Sequence, residues 1–203
     1  MVSGPVGILA LQGGYQRHAA LLTQLGASAR EVRSAADLED CAALVLPGGE
    51  STAMSRLLQA TDLFSALQAF ASVRPVFGTC AGLILMGRSD DPQVPSLGLL
   101  DVRLVRNAYG RQAQSFQCSL NLNLGDDSHT FPGLFIRAPQ IAHTGPGITV
   151  LASHAGRPVL VAQGLHMGAS FHPELTDDPR IHRHWLARVA AASSLRPRDA
   201  VSA

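Results

Sequence analysis

Residues 78–82 read Gly78-Thr79-Cys80-Ala81-Gly82, between an apolar strand-like segment (Pro75-Val76-Phe77) and an apolar helix-like one (Leu83-Ile84-Leu85-Met86). Small residues on both sides of a central cysteine suit a tight strand-to-helix turn. Such a turn holds a nucleophile exposed on strained backbone and leaves the next residue's N–H free for an oxyanion. The N-terminus of the following helix favours the thiolate. The same five residues also fit a glycine-flanked core cysteine, because free cysteine is among the most buried residue types.

A nucleophilic cysteine needs a base, and the base needs an orienting group. Eight histidines compete for that role. His172 has the best setting, Gly168-Ala169-Ser170-Phe171-His172-Pro173-Glu174, where a strand ends. Catalytic side chains of open α/β sheets gather at such ends. Glu174 stands two residues on, so an extended segment would project it to the same side as His172. The alternative is a strand-end turn with a solvated glutamate. His154, His166, His182 and His184 have no acid at this spacing and read as surface or satisfied polar residues. His182 and His184 face apart on a helix, so no metal site is expected.

Pro47-Gly48-Gly49-Glu50-Ser51-Thr52 offers backbone amides before a helix. It is either an oxyanion loop, with Gly49 N–H complementing Ala81 N–H, or an ordinary turn. No Walker lysine follows it, so it is not a phosphate loop. Gln12-Gly13-Gly14 ends the first strand on the same edge. Arg106-Asn107-Ala108-Tyr109-Gly110-Arg111-Gln112 either holds a carboxylate and an amino group or forms a polar hairpin loop. Ile136-Arg137-Ala138-Pro139 sets an arginine among apolar residues, which predicts a buried guanidinium with an anionic partner.

The elements that must position these groups alternate between strand and helix over the first half. Strands are expected over 6–11, 29–32, 42–46 and 75–79, with helices over 15–25, from Ser51 or Thr52 to about 60, and over 62–72. This order implies a three-layer α/β fold, an open and mostly parallel sheet with helices on both faces. After about residue 95, short alternating segments (98–105, 114–124, 132–136, 148–153, 158–163, 165–171) read as hairpins or a mixed extension of that sheet. A helix returns at 179–193 with Ile181, Trp185, Leu186 and Val189 on one face. Residues 1–193 read as one domain and 194–203 as a frayed tail.

Composition narrows the class of function. The 203-residue chain is 46% hydrophobic and carries a net charge of +1, so nothing electrostatic favours nucleic acid or an anionic membrane. No apolar run reaches membrane-spanning length, and no basic segment precedes the first apolar stretch to suggest a signal peptide. Cys41, Cys80 and Cys118 are odd in number and far apart, as for reduced cytoplasmic thiols. All 16 basic residues are arginine. Schiff-base chemistry on a lysine, including covalent pyridoxal phosphate binding, is therefore impossible on this chain. No cofactor is implied.

Taken in order, these motifs resemble the class I, triad-type glutamine amidotransferases. Leu11-Gln12-Gly13, Leu46-Pro47-Gly48-Gly49-Glu50-Ser51-Thr52, Phe77-Gly78-Thr79-Cys80-Ala81-Gly82-Leu83-Ile84, Arg106-Asn107-x-x-Gly110-Arg111-Gln112, Phe135-Ile136-Arg137-Ala138-Pro139 and Ser170-Phe171-His172-Pro173-Glu174-Leu175-Thr176 resemble the glutaminase subunits of pyridoxal 5′-phosphate synthases. The resemblance spans residue 6 to about 190 and implies a flavodoxin-like sheet. It also implies hydrolysis of L-glutamine to glutamate and ammonia. A separate barrel-shaped synthase subunit would use the ammonia, with a pentose phosphate and a triose phosphate, in a large hetero-oligomer. It assigns catalysis to Cys80, His172 and Glu174 and the oxyanion hole to Gly49 and Ala81, with Gln12 responding to the partner. Gly48, Gly49, Glu50, Arg106, Ile136 and Arg137 would bind the substrate. Where that family usually carries Glu-His after Gln-Gly, this chain has Arg17-His18, a charge reversal near the expected docking face. Three other readings compete: the glutaminase of another amidotransferase, a stand-alone cysteine peptidase or stress protein of the same fold, and a catalytically dead binding subunit.

Overall fold

Strands buried at every position need cover on both faces, and Val6–Leu9, Ala43–Leu46 and Val76–Thr79 are of that kind. A computed structural model of the chain describes Val2 and residues 4–106, 115–125 and 129–194. Its first half runs β1 (Val6–Leu9), α1 (Tyr15–Gln24), β2 (Ala29–Val32), β3 (Ala43–Leu46), α2 (Ser51–Gln59), α3 (Leu63–Ala71), β4 (Val76–Thr79) and α4 (Ala81–Met86). The second half runs β5 (Arg88–Ser89), β6 (Val102–Val105), β7 (Ser115–Leu120), β8 (Phe131–Ile136), β9 (Gln140–Thr144), β10 (Thr149–His154), β11 (Arg157–Gln163), β12 (His166–Ala169) and α5 (Arg180–Ser194).

The main sheet has the order β10-β11-β12-β4-β3-β1-β2. β2, β1, β3, β4 and β12 are parallel, and β11 and β10 close the edge as antiparallel strands. Side chains alternate between two cores with the period of two that a strand imposes. Leu44, Leu46 and Val76 pack on one side with Met54, Leu58, Leu63 and Leu67 from α2 and α3. Val6, Ile8, Ala43, Val45 and Phe77 pack on the other with Leu22 of α1 and Ile181, Trp185 and Val189 of α5. The three-layer α/β fold expected from the sequence is present.

The second half differs in detail. The segments at 148–153, 158–163 and 165–171 join the main sheet as the strands β10, β11 and β12, and the segment at 114–124 touches β10 through a single bridge from Leu122 to Ala152. The segments at 114–124 and 132–136 pair with each other instead, as β7 and β8. The segment at 98–105 contributes only β6, in a small sheet with β5 and β9. β9 lacks a clean apolar alternation, which is why its sequence does not announce a strand. Helix α2 is capped by Glu50 rather than by Ser51 or Thr52. Its carboxylate accepts hydrogen bonds from Thr52 N (3.0 Å) and Ala53 N (2.7 Å), the service a shorter cap residue usually gives. Residues 107–112 of the Arg106–Gln112 motif and 195–203 of the expected tail lie outside the described residues.

Candidate active site

The topology delivers the site. β4 sits between β3 and β12, and all three run parallel, so the segments leaving their carboxyl ends emerge side by side. β3 leads into the Gly48-Gly49 loop, β4 into Cys80 and β12 into His172, while β1 on the far side of β3 leads into Gln12. Register makes the juxtaposition close: Thr79 pairs with Ala169, and Cys80 N donates to Ala169 O at 2.9 Å.

Cys80 stands at φ 48°, ψ −104°, a conformation that costs a non-glycine residue on the order of 1–3 kcal/mol. The strain expected at this cysteine is therefore observed, but Cys80 is buried rather than exposed, with a cavity as its opening. The turn is made possible by Gly78 and Gly82, since a Cβ on Gly82 would meet Leu46 O at 1.9 Å and one on Gly78 would meet Gly82 C at 2.7 Å. Ala81, the residue after it, opens α4.

His172 Nδ1 lies 2.7 Å from Glu174 Oε1; Cys80 lines the same cavity and is the other group that acts on the ring, while its Sγ–H reaches Ile136 O at 3.9 Å. The expected geometry of this pair needs one correction. Pro173–Leu175 forms a single 3-10 turn rather than an extended segment. The carboxylate reaches the imidazole by curling back along that turn. Glu174 is 3% exposed. Burial works against its anion, but the facing His18 and the His172 hydrogen bond outweigh that and hold its pKa below the carboxylate range. Burial also opposes charge on His172, yet its interactions with Cys80 and Glu174 prevail and push its pKa up to about 10.

These shifts fix a pH dependence of stability. A folded pKa near 10 lies above the ordinary 6.5, so the contribution of charged His172 is complete below about pH 6.5 and is lost as pH rises toward 10. Glu174 has the opposite sign: its contribution is present above about pH 4.5 and drains as pH falls through the lower folded value. Thermal unfolding between pH 6 and 10 should show the melting temperature of the parent protein falling with pH. His172→Gln should flatten that slope. An identical slope in both would remove the assignment.

The Gly48-Gly49 loop is clamped from the β1 side. Gly14 N donates to Gly48 O at 3.0 Å. Gln12 brackets Glu50, its Nε2 donating to Glu50 O at 2.7 Å and its Oε1 accepting from Glu50 N at 3.3 Å. Both polar atoms of Gln12 are thus spent on the backbone that carries the Gly49 peptide. Arg106 Nη2 lies 3.6 Å from Glu50, and its Nη1 bonds Asp91 and reaches Thr52 Oγ1 at 3.3 Å. Arg137 departs from expectation. It is exposed rather than buried, at φ 45° in the left-handed region, because β8 ends at Ile136 and the chain turns there before Pro139.

A cavity of about 280 Å³ opens at this edge, lined by Gly48, Gly49, Glu50, Cys80, Arg106, Ile136, Arg137, His172 and Glu174. The structure therefore brings together the three residues predicted as catalytic and the six predicted to bind substrate. Ala81 and Gln12, predicted for the oxyanion hole, are not among its lining residues. Sequence reading missed the two histidines behind Glu174. His18 and His182 are both fully buried, and His18 Nδ1 lies 3.0 Å from His182 Nε2. The signal for His18 was its place three and four residues before Leu21 and Leu22, on the apolar stripe of α1. Arg17, by contrast, is exposed.

A cysteine on a strained turn between an open parallel sheet and a helix, beside a His–Glu pair, is the arrangement of a triad-type glutamine amidotransferase. The chain belongs to the SNO glutamine amidotransferase family, which matches residues 8–191. It is 45% identical over 184 residues to a protein of Desulforudis audaxviator named pyridoxal 5′-phosphate synthase subunit PdxT, covering 89% of this chain and 96% of that one. The protein of the same name from Thermus thermophilus is 46% identical over 188 residues, covering 90% and 96%. A crystal structure of a glutamine amidotransferase superposes with a TM-score of 0.86 at 42% identity, covering 92% of this chain and all of that one. The structure of PurLQS from Thermotoga maritima shares the fold alone, at 15% identity and a TM-score of 0.63 over 95% of this chain and all of that one.

Proposed function

We propose that this chain hydrolyses L-glutamine to L-glutamate and ammonia, and that the ammonia passes to a partner synthase subunit that builds pyridoxal 5′-phosphate. The observation that carries the reading is Cys80 on its strained turn, sharing a small cavity with His172, in a chain about 45% identical to named subunits of that synthase.

Cys80 Sγ attacks the γ-carboxamide carbon, His172 having taken the thiol proton. The N–H groups of Gly49 and Ala81 receive the oxyanion of the tetrahedral intermediate. His172 returns the proton to the departing ammonia, leaving a thioester on Cys80. It then takes a proton from water, whose oxygen attacks the thioester, and glutamate leaves as Cys80 is restored. Glu174 holds the imidazole in the tautomer both halves need. Arg106 and the Ile136-Arg137 segment receive the α-carboxylate, and Glu50 the α-ammonium group. Gln12 acts on the oxyanion hole through its grip on Glu50, which makes it the lever by which a docked partner sets the Gly49 peptide. The partner is a barrel-shaped subunit in a large hetero-oligomer. The cytoplasm is the assigned compartment, with Cys41, Cys80 and Cys118 all free thiols.

Glutamate release from glutamine, measured with the purified chain alone and with the synthase subunit, tests the whole reading. Strong stimulation by the partner is the expected result. Equal rates would remove the coupling through Gln12, and no release in either case would remove the glutaminase.

A further inference from the structure

Glu174 Oε1 is satisfied by His172, but Oε2, equally buried, takes no hydrogen bond of ordinary geometry from the described residues. A buried carboxylate oxygen left without a donor is costly. The donor facing it is His18 Nε2, 3.5 Å away and also 3.2 Å from Thr79 Oγ1. Thr79 reaches it because side chains two apart share a face of β4, and Phe77 on that face packs edge-on to both His18 and His182.

We propose that His18, held by His182, is a positioning residue of the amidase reaction: its Nε2–H fixes Glu174 from behind and so orients His172. This rests on the glutaminase reading above. The proton order follows from geometry and charge. One N–H joins the two rings across 3.0 Å. If His18 Nδ1 donated it, the bare lone pair of His18 Nε2 would face the Glu174 anion. If His182 Nε2 donates, His18 directs its Nε2–H between Thr79 Oγ1 and the carboxylate instead, and the atom left without a partner is His182 Nδ1, which has none among the described residues. Burial lowers the pKa of both histidines, His182 to about 3, so each is neutral and carries a single N–H, as this order requires. The titratable groups around the cluster are His172 and Cys80 on the cavity side, His18 on α1 and His182 on α5.

The test compares His18→Leu, which has no donor, with His18→Gln, whose Nε2 amide restores one near the same place. Both are assayed across pH for melting temperature and, in complex with the synthase partner, for glutamate release. His18→Leu should lose roughly tenfold or more in turnover, the scale seen when the hydrogen-bond partner behind a metal-bound histidine is removed. It should also place the acidic limbs of both profiles above those of His18→Gln, because Glu174 then takes up a proton more readily, while His18's own titration is absent from both variants. His18→Gln should recover most of the rate. Equal losses in the two variants, or acidic limbs that coincide between them, would reduce His18 to a packing residue. Release by the parent protein checks the underlying reading separately, and the melting profiles report on Glu174 even without turnover.

Discussion

Cys80→Ala should leave the assembled protein at least about 10³-fold slower in releasing glutamate from glutamine, because loss of a triad nucleophile leaves only the residual contribution of binding and the oxyanion hole. The stronger test pairs that variant with Cys80→Gly. At φ 48°, ψ −104° an alanine keeps the backbone strain of the cysteine, whereas glycine adopts a positive φ freely. Relief of about 1–3 kcal/mol outweighs the 0.5–1 kcal/mol or so that glycine's extra freedom in the unfolded chain removes. Both variants should be inactive, yet Cys80→Gly should melt a few degrees above Cys80→Ala. A glycine variant less stable than the alanine variant would show that the turn stores no strain. Retained turnover in Cys80→Ala would remove the cysteine from the mechanism.

How much of this was legible in the sequence follows from the range of each interaction. The elbow was readable because its requirements are local: small residues around Cys80, a strand before and a helix after. The strands β1, β3 and β4 were readable because parallel strands buried on both faces are short, nearly unbroken apolar runs between glycines and prolines, whereas β2, with exposed Arg30 and Glu31, left only a weak trace. The His172–Glu174 pair was readable as a pair but not in its shape, since two residues either side of Pro173 fit an extended segment and a 3-10 turn alike. Glu50 was read as a substrate ligand and missed as a helix cap, because a serine and a threonine beside it are better cap formers. Arg137 was expected inside on the character of its neighbours, but a positive φ at the end of β8 turned it outward. The His18–His182 contact joins residues 164 positions apart on two helices, and no local pattern reports such a meeting. Sheet order was beyond reach for the same reason: nothing local tells β12 to insert beside β4, although that step sets His172 next to Cys80.

The glycines that permit this arrangement separate chemistry from folding, and Gly48→Ala should show it. A Cβ on Gly48 would stand 2.3 Å from His172 Cε1, 2.8 Å from its Nδ1 and 3.4 Å from Cys80 Cβ. Gly48 has no positive φ, so alanine strains no backbone there and the imidazole must give way. His172 cannot retreat while keeping both its 2.7 Å contact with Glu174 and its place beside Cys80 in the cavity. A displacement of this order costs about 10²-fold or more in turnover. Overpacking at one small site costs about 1–3 kcal/mol of stability, so the variant should remain folded. Gly82→Ala makes the contrast. Its Cβ would meet Leu46 O at 1.9 Å and Leu46 C at 2.6 Å, backbone atoms of β3 that have no rotamer to change. The sheet would have to part from α4, so this variant should fail to fold stably rather than fold without activity. Circular dichroism melts alongside glutamate release distinguish the two. Gly48→Ala folded and slow, with Gly82→Ala unfolded, is the expected pair. A fully active Gly48→Ala would mean that His172 has room the structure does not show.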